Sequence, residues 1–460
     1  MTARNPAVEK PAIAGERVTT RPFIATIALF SMMLPISFDV GSIHLSTSRT
    51  LFLILCPILL IRLLMGKYGR VTQLDVWILL YMLWRSVVPF INNPALALEY
   101  VGSNSVIFLG GYLAARASIR SASDFRWFAR VLGTFVILTF PFALSESITG
   151  NMVLPPLLEK IPGVTSVTDV MYDRRMGLDR AQVVFAHPIL YGLFCSMGVA
   201  IFFLGTKGHV PTWRRVLGTM LIGGSCFLSV SSGPFLSMVA QFFLLLWAFV
   251  LRNVETRWRI LGFLTFLAYV VIEIGSNRPG IYAVVSLLSF APHTANVRLI
   301  LLEYGLAQVV QTPLFGVGFN NWNLPVWMSG SLDNFWLANA LIFGLPAFLL
   351  LAAAFAYGMI AVGRRKFAPG GDLYNIKLSW MIVMVSITLT LATVYIWSEI
   401  ASLVMFVIGS GAFLLHAEDP KQQEVVPGQK APRGPVYTRF PGTGSGEDNP
   451  RFARPAHGTQ

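Results

Sequence analysis

The chain has 460 residues, of which 55% are hydrophobic and only 12% are charged, and its mean hydropathy is +0.63. An average soluble domain carries about 25% charged residues, so this composition excludes a water-soluble globular protein and a chain disordered over most of its length. The formal net charge is 35 − 22 = +13. The basic residues lie in short clusters between apolar runs, so they indicate membrane topology and require no nucleic-acid partner.

Apolar runs of about 20 residues predict membrane-spanning helices. The sequence predicts an all-α polytopic membrane protein with about twelve transmembrane helices, five in 22–148, four in 187–275 and three in 335–416. The runs lie at 22–38, 50–66, 75–92, 100–116, 129–148, 187–205, 214–231, 233–251, 259–275, 335–361, 376–395 and 398–415. The flanking segments 1–21 and 417–460 are predicted to be cytoplasmic tails, and the second is rich in Pro and Gly and predicted to be disordered.

Every second connection between these runs is basic, as at Arg62, Lys67 and Arg70. Such clusters are retained in the cytoplasm, so both termini are predicted to be cytoplasmic. The two long loops, 149–186 and 276–334, then lie outside. Long loops are usually functional when they are not disordered, and these contain apolar and aromatic residues. In the second loop, residues 296–311 have the three- and four-residue apolar spacing of a short amphipathic helix.

The first long loop ends in an arginine-rich approach to a span that includes Arg174, Arg175 and Arg180. Guanidinium groups bind phosphate oxygens, which is the functional interpretation. Pairing with Asp173 and Asp179, or contact with lipid headgroups, is the alternative. We favour that alternative for Arg174 and Arg175, and phosphate binding for Arg180. His187 is either a general base or simply the start of a helix before Pro188.

The second long loop contains Arg278, Arg298 and Glu303. Arg298 and Glu303 are five positions apart, about 140° around a helix, so they cannot share one face. Pro313 is predicted to end that helix, and Gly316 and Gly318 to allow a tight turn.

Asp333 precedes the next apolar run, where an Asp is a typical N-cap, and this stretch alone favours that role. The functional alternative is a general base. That apolar run is interrupted by Gly344-Leu345-Pro346. Ionisable residues inside the spans are rare, and each lies near an outer end: Arg85, Glu146, Glu273 and Glu399. The sequence has no metal-binding or nucleotide-binding motif, so we expect no metal and no cofactor.

Three motifs carry a resemblance to a known family. The first is Arg175-Met176-Gly177-Leu178-Asp179-Arg180 followed by Phe185-Ala186-His187-Pro188-Ile189. The second is Arg298 at the start of a helix that leads to Thr312-Pro313-Leu314-Phe315-Gly316-Val317-Gly318, and the third is Asp333-Asn334-Phe335-Trp336-Leu337 followed by Phe343-Gly344-Leu345. In this order and spacing, over about 170–360, the chain resembles the O-antigen ligase and O-antigen polymerase superfamily of bacterial membrane proteins.

The resemblance implies a fold of the C-type glycosyltransferases (GT-C-like) with a site at the periplasmic face of the bacterial inner membrane. It implies a donor glycan carried on undecaprenyl diphosphate. Ligases pass that glycan to lipid A-core, and polymerases pass it to the next lipid-linked repeat. Many members carry His-Asn where this chain has Asp333-Asn334, which puts a histidine base in doubt here.

The resemblance also assigns expected roles. Arg180 and Arg298 would bind the diphosphate, with Arg278 and Arg175 as further candidates, and Asn334 is expected to contact substrate. Asp333, with Glu303 as the reserve, would position or deprotonate the acceptor hydroxyl. Trp322 would stack on sugar, unless it and Trp327 are residues of the membrane interface.

We therefore expect an exopolysaccharide or O-antigen polymerase, with an O-antigen ligase as the alternative. A flippase or transporter for lipid-linked oligosaccharides is the rival of another class, and a non-catalytic assembly subunit is a third alternative. The expected partners are the lipid-linked donor, an acceptor glycan or lipid A-core, the bilayer and other polysaccharide-assembly proteins.

Overall fold

The computed structural model describes residues 23–40, 43–168, 172–275, 292–325 and 332–419. Both predicted tails, except 417–419, therefore lie outside the described residues, as do Arg278 and Trp327. The helices are α1 (Phe23–Met33), α2 (Thr47–Leu64), α3 (Gln73–Asn92), α4 (Pro94–Tyr100), α5 (Val106–Ser118), α6 (Ala122–Thr149), α7 (Leu154–Leu158), α8 (Pro188–Gly205), α9 (Thr212–Leu228), α10 (Ser232–Val250), α11 (Arg257–Gly275), α12 (Pro292–Gln311), α13 (Phe335–Arg364), α14 (Asp372–Thr390) and α15 (Ser398–Ser410).

Short elements complete this description. A π-helical turn, Val101–Ser105, joins α4 to α5, and a 3-10 turn, Ala412–Leu415, follows α15. Strands β1 (Ser37–Val40) and β2 (Ile43–Ser46) form an antiparallel hairpin, with Ser37 opposite Ser46.

Nine helices in the described ranges are long and apolar enough to cross a membrane: α2, α3, α6, α8, α10, α11, α13, α14, and α15 with its 3-10 turn. The prediction of a polytopic, almost entirely α-helical membrane protein is confirmed. Every predicted apolar run contains a helix, but α1, α5 and α9 have 11, 13 and 17 residues, so twelve spans stay a prediction. The predicted span 22–38 is too long, because its last residues belong to strand β1.

Helix α8 forms the centre of the bundle. Sixteen of its eighteen residues are buried, and it packs against α6, α9, α10 and α14. Helices α5 and α15 approach each other closely at Gly111, where an added Cβ would lie 2.1 Å from the carbonyl oxygen of Ser402. Small residues permit such contacts between membrane helices. Helix α11 differs, because Arg257 is its only buried residue.

A kink in α13 fixes the connection between α12 and α13. Gly344 has a φ of +82°, and Pro346 has no N–H to donate to the carbonyl of Ile342. The N–H of Gly318 donates to that carbonyl instead, at 3.1 Å. Gly316 and Gly318 have φ angles of +64° and +65°, so the predicted tight turn and the predicted interruption of the helix are both confirmed. Together they hold the turn at Gly316 and Gly318 against α13.

The two ends of the bundle differ. We call the end that carries the described segments 150–168, 172–187, 312–325 and 332–334 the loop end. At the opposite end, basic side chains bind carbonyl groups of the chain. Arg116 donates to the carbonyls of Tyr68 and Arg70 and pairs with Asp75 at 3.1 Å. These positive charges therefore stabilise turns between helices.

Candidate functional site

Two arginines from different loops converge on the amino end of helix α10. Nη2 of Arg180 donates to Oγ of Ser231 at 3.0 Å, and Nη2 of Arg298 donates to Oγ of Ser232 at 3.5 Å. Ser231 is the N-cap of α10 and Ser232 is its first residue. Both guanidinium groups therefore donate to adjacent residues at one helix end.

This region has an excess of positive charge. No side chain caps the first turn of α10, so the positive end of the helix dipole adds to the two guanidinium groups. Burial and the charge of Arg175 lower the pKa of Arg180 to about 10. Burial also lowers the pKa of Arg298, with Asp333 opposing this effect and Arg175 adding to it. Such an arrangement favours the binding of an anion.

Asp333 lies beside Arg298, and both line one small cavity with Asn334 and Leu337. The prediction that Asp333 caps the helix is wrong. Oδ1 of Asn334 accepts a hydrogen bond from the N–H of Leu337 at 3.0 Å, because α13 begins one residue later than that prediction requires. The carboxylate of Asp333 is therefore available to the cavity. Burial raises its pKa, and the charge of Arg298 partly offsets this effect.

His187 starts helix α8, as one of its two predicted roles requires. Its Nδ1 accepts a hydrogen bond from the N–H of Ile189 at 3.0 Å. The ring lies edge-on to Tyr172 and Trp397, with centroids 4.8 and 5.9 Å away. Burial, Arg180 and Arg175 lower the pKa of His187 to about 4, so the ring is neutral at pH 7. With Nδ1 accepting, its proton is on Nε2, which is therefore a hydrogen-bond donor.

The loop that presents Arg180 is anchored to the end of helix α6. The carboxylate of Glu146 accepts hydrogen bonds from the N–H groups of Gln182 and Val183, at 2.8 and 2.9 Å. Arg174 forms a bidentate pair with Asp179, at 3.0 and 2.9 Å. The pairing predicted as the alternative for Arg174 is thus confirmed.

Strained backbone is concentrated around these residues. All four non-glycine residues with positive φ in the described ranges lie next to them: Met176, Val183, Val230 and Ser398, at +55°, +54°, +42° and +51°. A β-branched residue rarely adopts this conformation, which costs about 1–3 kcal/mol and is typically found at functional sites.

The other predicted residues lie differently. Glu303 is exposed and does not line the cavity of Arg298, as expected from the angle between them. Trp322 packs against an apolar cluster that includes Leu341. Arg175 is exposed and acts on the site through its charge.

Three neighbours of the site residues were not predicted from the sequence: Ser231 and Ser232, which accept hydrogen bonds from the two arginines, and Trp397, which lies beside His187. A signal for the serines existed, since Ser229, Ser231 and Ser232 cluster before Gly233 at a tight connection between two spans.

No protein-family model matches the chain, and no curated protein matches it. In the described part of the chain, no group of three His, Cys, Asp or Glu side chains is placed to hold a metal ion. The chemistry of the site is that of an anion-binding point beside a carboxylate that can accept a proton.

Proposed function

We propose that the protein is a membrane glycosyltransferase of the O-antigen ligase and polymerase type, with a GT-C-like fold. It transfers a glycan from undecaprenyl diphosphate to an acceptor hydroxyl at the periplasmic face of the bacterial inner membrane. Its preferred reaction is the polymerisation of exopolysaccharide or O-antigen repeat units. The observation that carries this proposal is the convergence of Arg180 and Arg298 on adjacent serines at the amino end of α10.

A diphosphate suits this point for three reasons. Guanidinium groups bind phosphate oxygens with two parallel hydrogen bonds, and two such groups lie here. The amino end of α10 adds N–H donors and a partial positive charge. Burial and charge repulsion lower the pKa values of Arg180 and Arg298, and a bound anion offsets both effects.

In the proposed reaction, the oxygen of the acceptor hydroxyl attacks the anomeric carbon of the donor sugar. A bond forms between these two atoms, and the bond from the anomeric carbon to the diphosphate oxygen breaks. The electron pair of the broken bond stays on that oxygen, where Arg180 and Arg298 stabilise the negative charge. The proton of the hydroxyl passes to the carboxylate of Asp333. The products are the extended glycan and undecaprenyl diphosphate.

Alanine substitutions at the two arginines test the proposal. We expect Arg298→Ala and Arg180→Ala each to lower the rate of transfer about 100-fold or more, as for the loss of other charge-stabilising donors. The measurement is incorporation of labelled repeat units into polymer by membranes that contain equal amounts of each variant.

Arg174→Ala is the matched control, because Arg174 is exposed in the same loop and pairs only with Asp179 among the described residues. It should retain nearly full activity, since exposed ion pairs contribute little. Normal product from Arg298→Ala would contradict the proposal.

A deletion strain separates the alternatives by the size of its lipid-linked glycans and the membrane face on which they accumulate. Single repeats on the outer face would support the polymerase. Long lipid-linked chains that never reach an acceptor would support the ligase. Repeats confined to the cytoplasmic face would contradict both enzymes and support a transporter.

A further inference from the structure

We call the place where Arg180 and Arg298 meet the amino end of α10 the arginine site. A second cleft opens beside it at the loop end. Its polar lining residues are Ser37, Ser46, Arg49, Ser166, Thr168, Ser398 and Glu399, and we call it the hydroxyl cleft. Ala186 also lines it. His187 directly follows Ala186, and Trp397 directly precedes Ser398. The rings of His187 and Trp397 contact each other at the arginine site. The two sites therefore share these backbone segments.

The lining of the hydroxyl cleft is complementary to a polyhydroxylated ligand. Oε1 of Glu399 accepts a hydrogen bond from Ser48 at 3.2 Å, and no donor among the described residues reaches Oε2. Ser166 donates its hydroxyl proton to the carbonyl of Pro35 at 2.8 Å, so its lone pairs can accept hydrogen bonds from a ligand. The guanidinium of Arg49 also lines the cleft and adds positive charge there.

An apolar groove adjoins the hydroxyl cleft and shares Leu34, Pro35 and Val184 with it. The groove lies between α1, α6 and α7, and Phe30 and Leu157, which line it, are 53% and 52% exposed. Phe135, Leu138 and Phe142 of α6, one of the candidate spans, also line the groove, so it follows a helix that is apolar enough to cross the bilayer. A ligand that occupied both spaces would need an apolar chain joined to a polar head.

We propose that the hydroxyl cleft is the acceptor subsite and that its ligand is a lipid-linked glycan. Glu399 and Ser166 bind hydroxyl groups of the glycan, and the apolar groove holds the lipid chain. The donor diphosphate occupies the arginine site on the other side of the shared segments. This inference rests on the proposed function, because only a transferase requires two glycan ligands at once.

Steady-state kinetics of the full-length protein in nanodiscs test the assignment. The varied acceptor is the single-repeat lipid-linked glycan extracted from the deletion strain. Glu399→Gln should raise the KM for this acceptor about tenfold, the effect of losing about 1.4 kcal/mol, and leave the KM for the donor unchanged. The control is Glu159→Gln, an exposed carboxylate in the first long loop, which should change neither constant. A rise in the donor KM alone, or no change in either KM, would overturn the proposal.

A second variant protects the test against misfolding. Thr168 lines the cleft and is exposed, so Thr168→Trp should obstruct the cleft while the protein folds normally. We expect it to raise the KM for the acceptor as Glu399→Gln does. Unchanged acceptor kinetics in a properly folded Thr168→Trp protein would contradict the assignment.

A binding measurement separates this proposal from the proposed function. The probe is the oligosaccharide released by mild acid from the same lipid-linked glycans, and its binding is followed by saturation-transfer NMR. If the wild-type protein binds it and Glu399→Gln does not, while no transfer occurs from any lipid diphosphate, the cleft binds glycan but is not an acceptor subsite, and the enzyme proposal fails. If transfer is normal but both proteins bind the probe equally, only the cleft assignment fails.

Discussion

Asp333 is subject to two opposite effects on its pKa. Burial raises the pKa of its carboxyl group, and the neighbouring Arg298 guanidinium lowers it. In the proposed reaction, a bound diphosphate neutralises part of the charge of Arg298. The pKa of Asp333 would then rise further, which makes the carboxylate a stronger base when the donor is in place.

The acid limb of the pH–rate profile tests this role. A general base must be deprotonated, so the rate should fall as the pH decreases through the pKa of Asp333, about tenfold for each pH unit. Asp333→Asn should lower kcat about 100-fold or more and remove that limb. The measurement is kcat against pH for the wild-type protein and this variant at saturating donor and acceptor. An unchanged acid limb in Asp333→Asn would exclude Asp333 as the base.

His187 needs a separate control, because its pKa is lowered to about 4 and its ring therefore also titrates in acid. Asn is a good N-cap, so His187→Asn should keep the start of α8 intact. We expect this variant to retain the acid limb. If the acid limb is lost in His187→Asn, the titration that produces the limb belongs to His187 instead of Asp333.

At the residue scale, the sequence indicated Arg180, Arg298 and Asp333 as candidates, but its local pattern favoured Asp333 over Asn334 as the cap of α13. The N–H of Phe335 donates to the carbonyl of Leu391 at 2.9 Å, and this contact accompanies the start of α13. Leu391 follows α14, more than fifty residues away, so no local pattern could reveal this contact. The partners of the arginines, Ser231 and Ser232, depend on tertiary contacts in the same way.

At the scale of elements, helix α6 and the loop before α8 act together. Glu146, near the end of α6, holds the backbone that follows Arg180 through two charge-assisted hydrogen bonds. Such bonds contribute about 1.5–3 kcal/mol each. Arg174 and Arg175 lie in the same loop and are exposed, so a protease can report whether the loop has opened.

Trypsin cleavage after these arginines tests the anchor. The amide of Glu146→Gln keeps one acceptor oxygen but presents a donor to the other N–H, so one hydrogen bond is lost. We expect cleavage about tenfold faster or more, together with a raised KM for the donor. Glu99→Gln, an exposed carboxylate on α4, is the control and should not change the cleavage rate. Equal cleavage rates for Glu146→Gln and the wild-type protein would refute the anchoring role.

The elements themselves were predictable where the signal is local. The helix α12, its end before Pro313 and the kink at Gly344 all follow from spacing, Pro and Gly. The hairpin was missed, because hydropathy counts its apolar residues with those of α1. What separates β1 from that helix is a long-range pairing, in which Ser37 and Thr165 exchange backbone hydrogen bonds, both at 2.9 Å.

At the scale of the whole molecule, the candidate site lies at the loop end, and basic side chains such as Arg116 stabilise turns at the opposite end. Hydropathy alone indicated a multi-pass protein, because each buried or lipid-facing helix must be apolar along its length. It could not indicate which helices pack centrally. Helices α8 and α11 are similarly apolar, yet α8 is the most buried and α11 is almost wholly exposed.

The proposed reaction requires the loop end to face the periplasm, and cysteine labelling tests this orientation. The three native cysteines, Cys56, Cys195 and Cys226, are buried, so a membrane-impermeant maleimide should give little background. Glu159→Cys, at the loop end, should react in intact cells. Lys67→Cys, exposed at the opposite end, should react only after the inner membrane is permeabilised. The reverse pattern would place Arg180 and Arg298 in the cytoplasm and would contradict a periplasmic transferase, whereas the expected pattern is required for the two arginines to meet a donor already carried to the outer face.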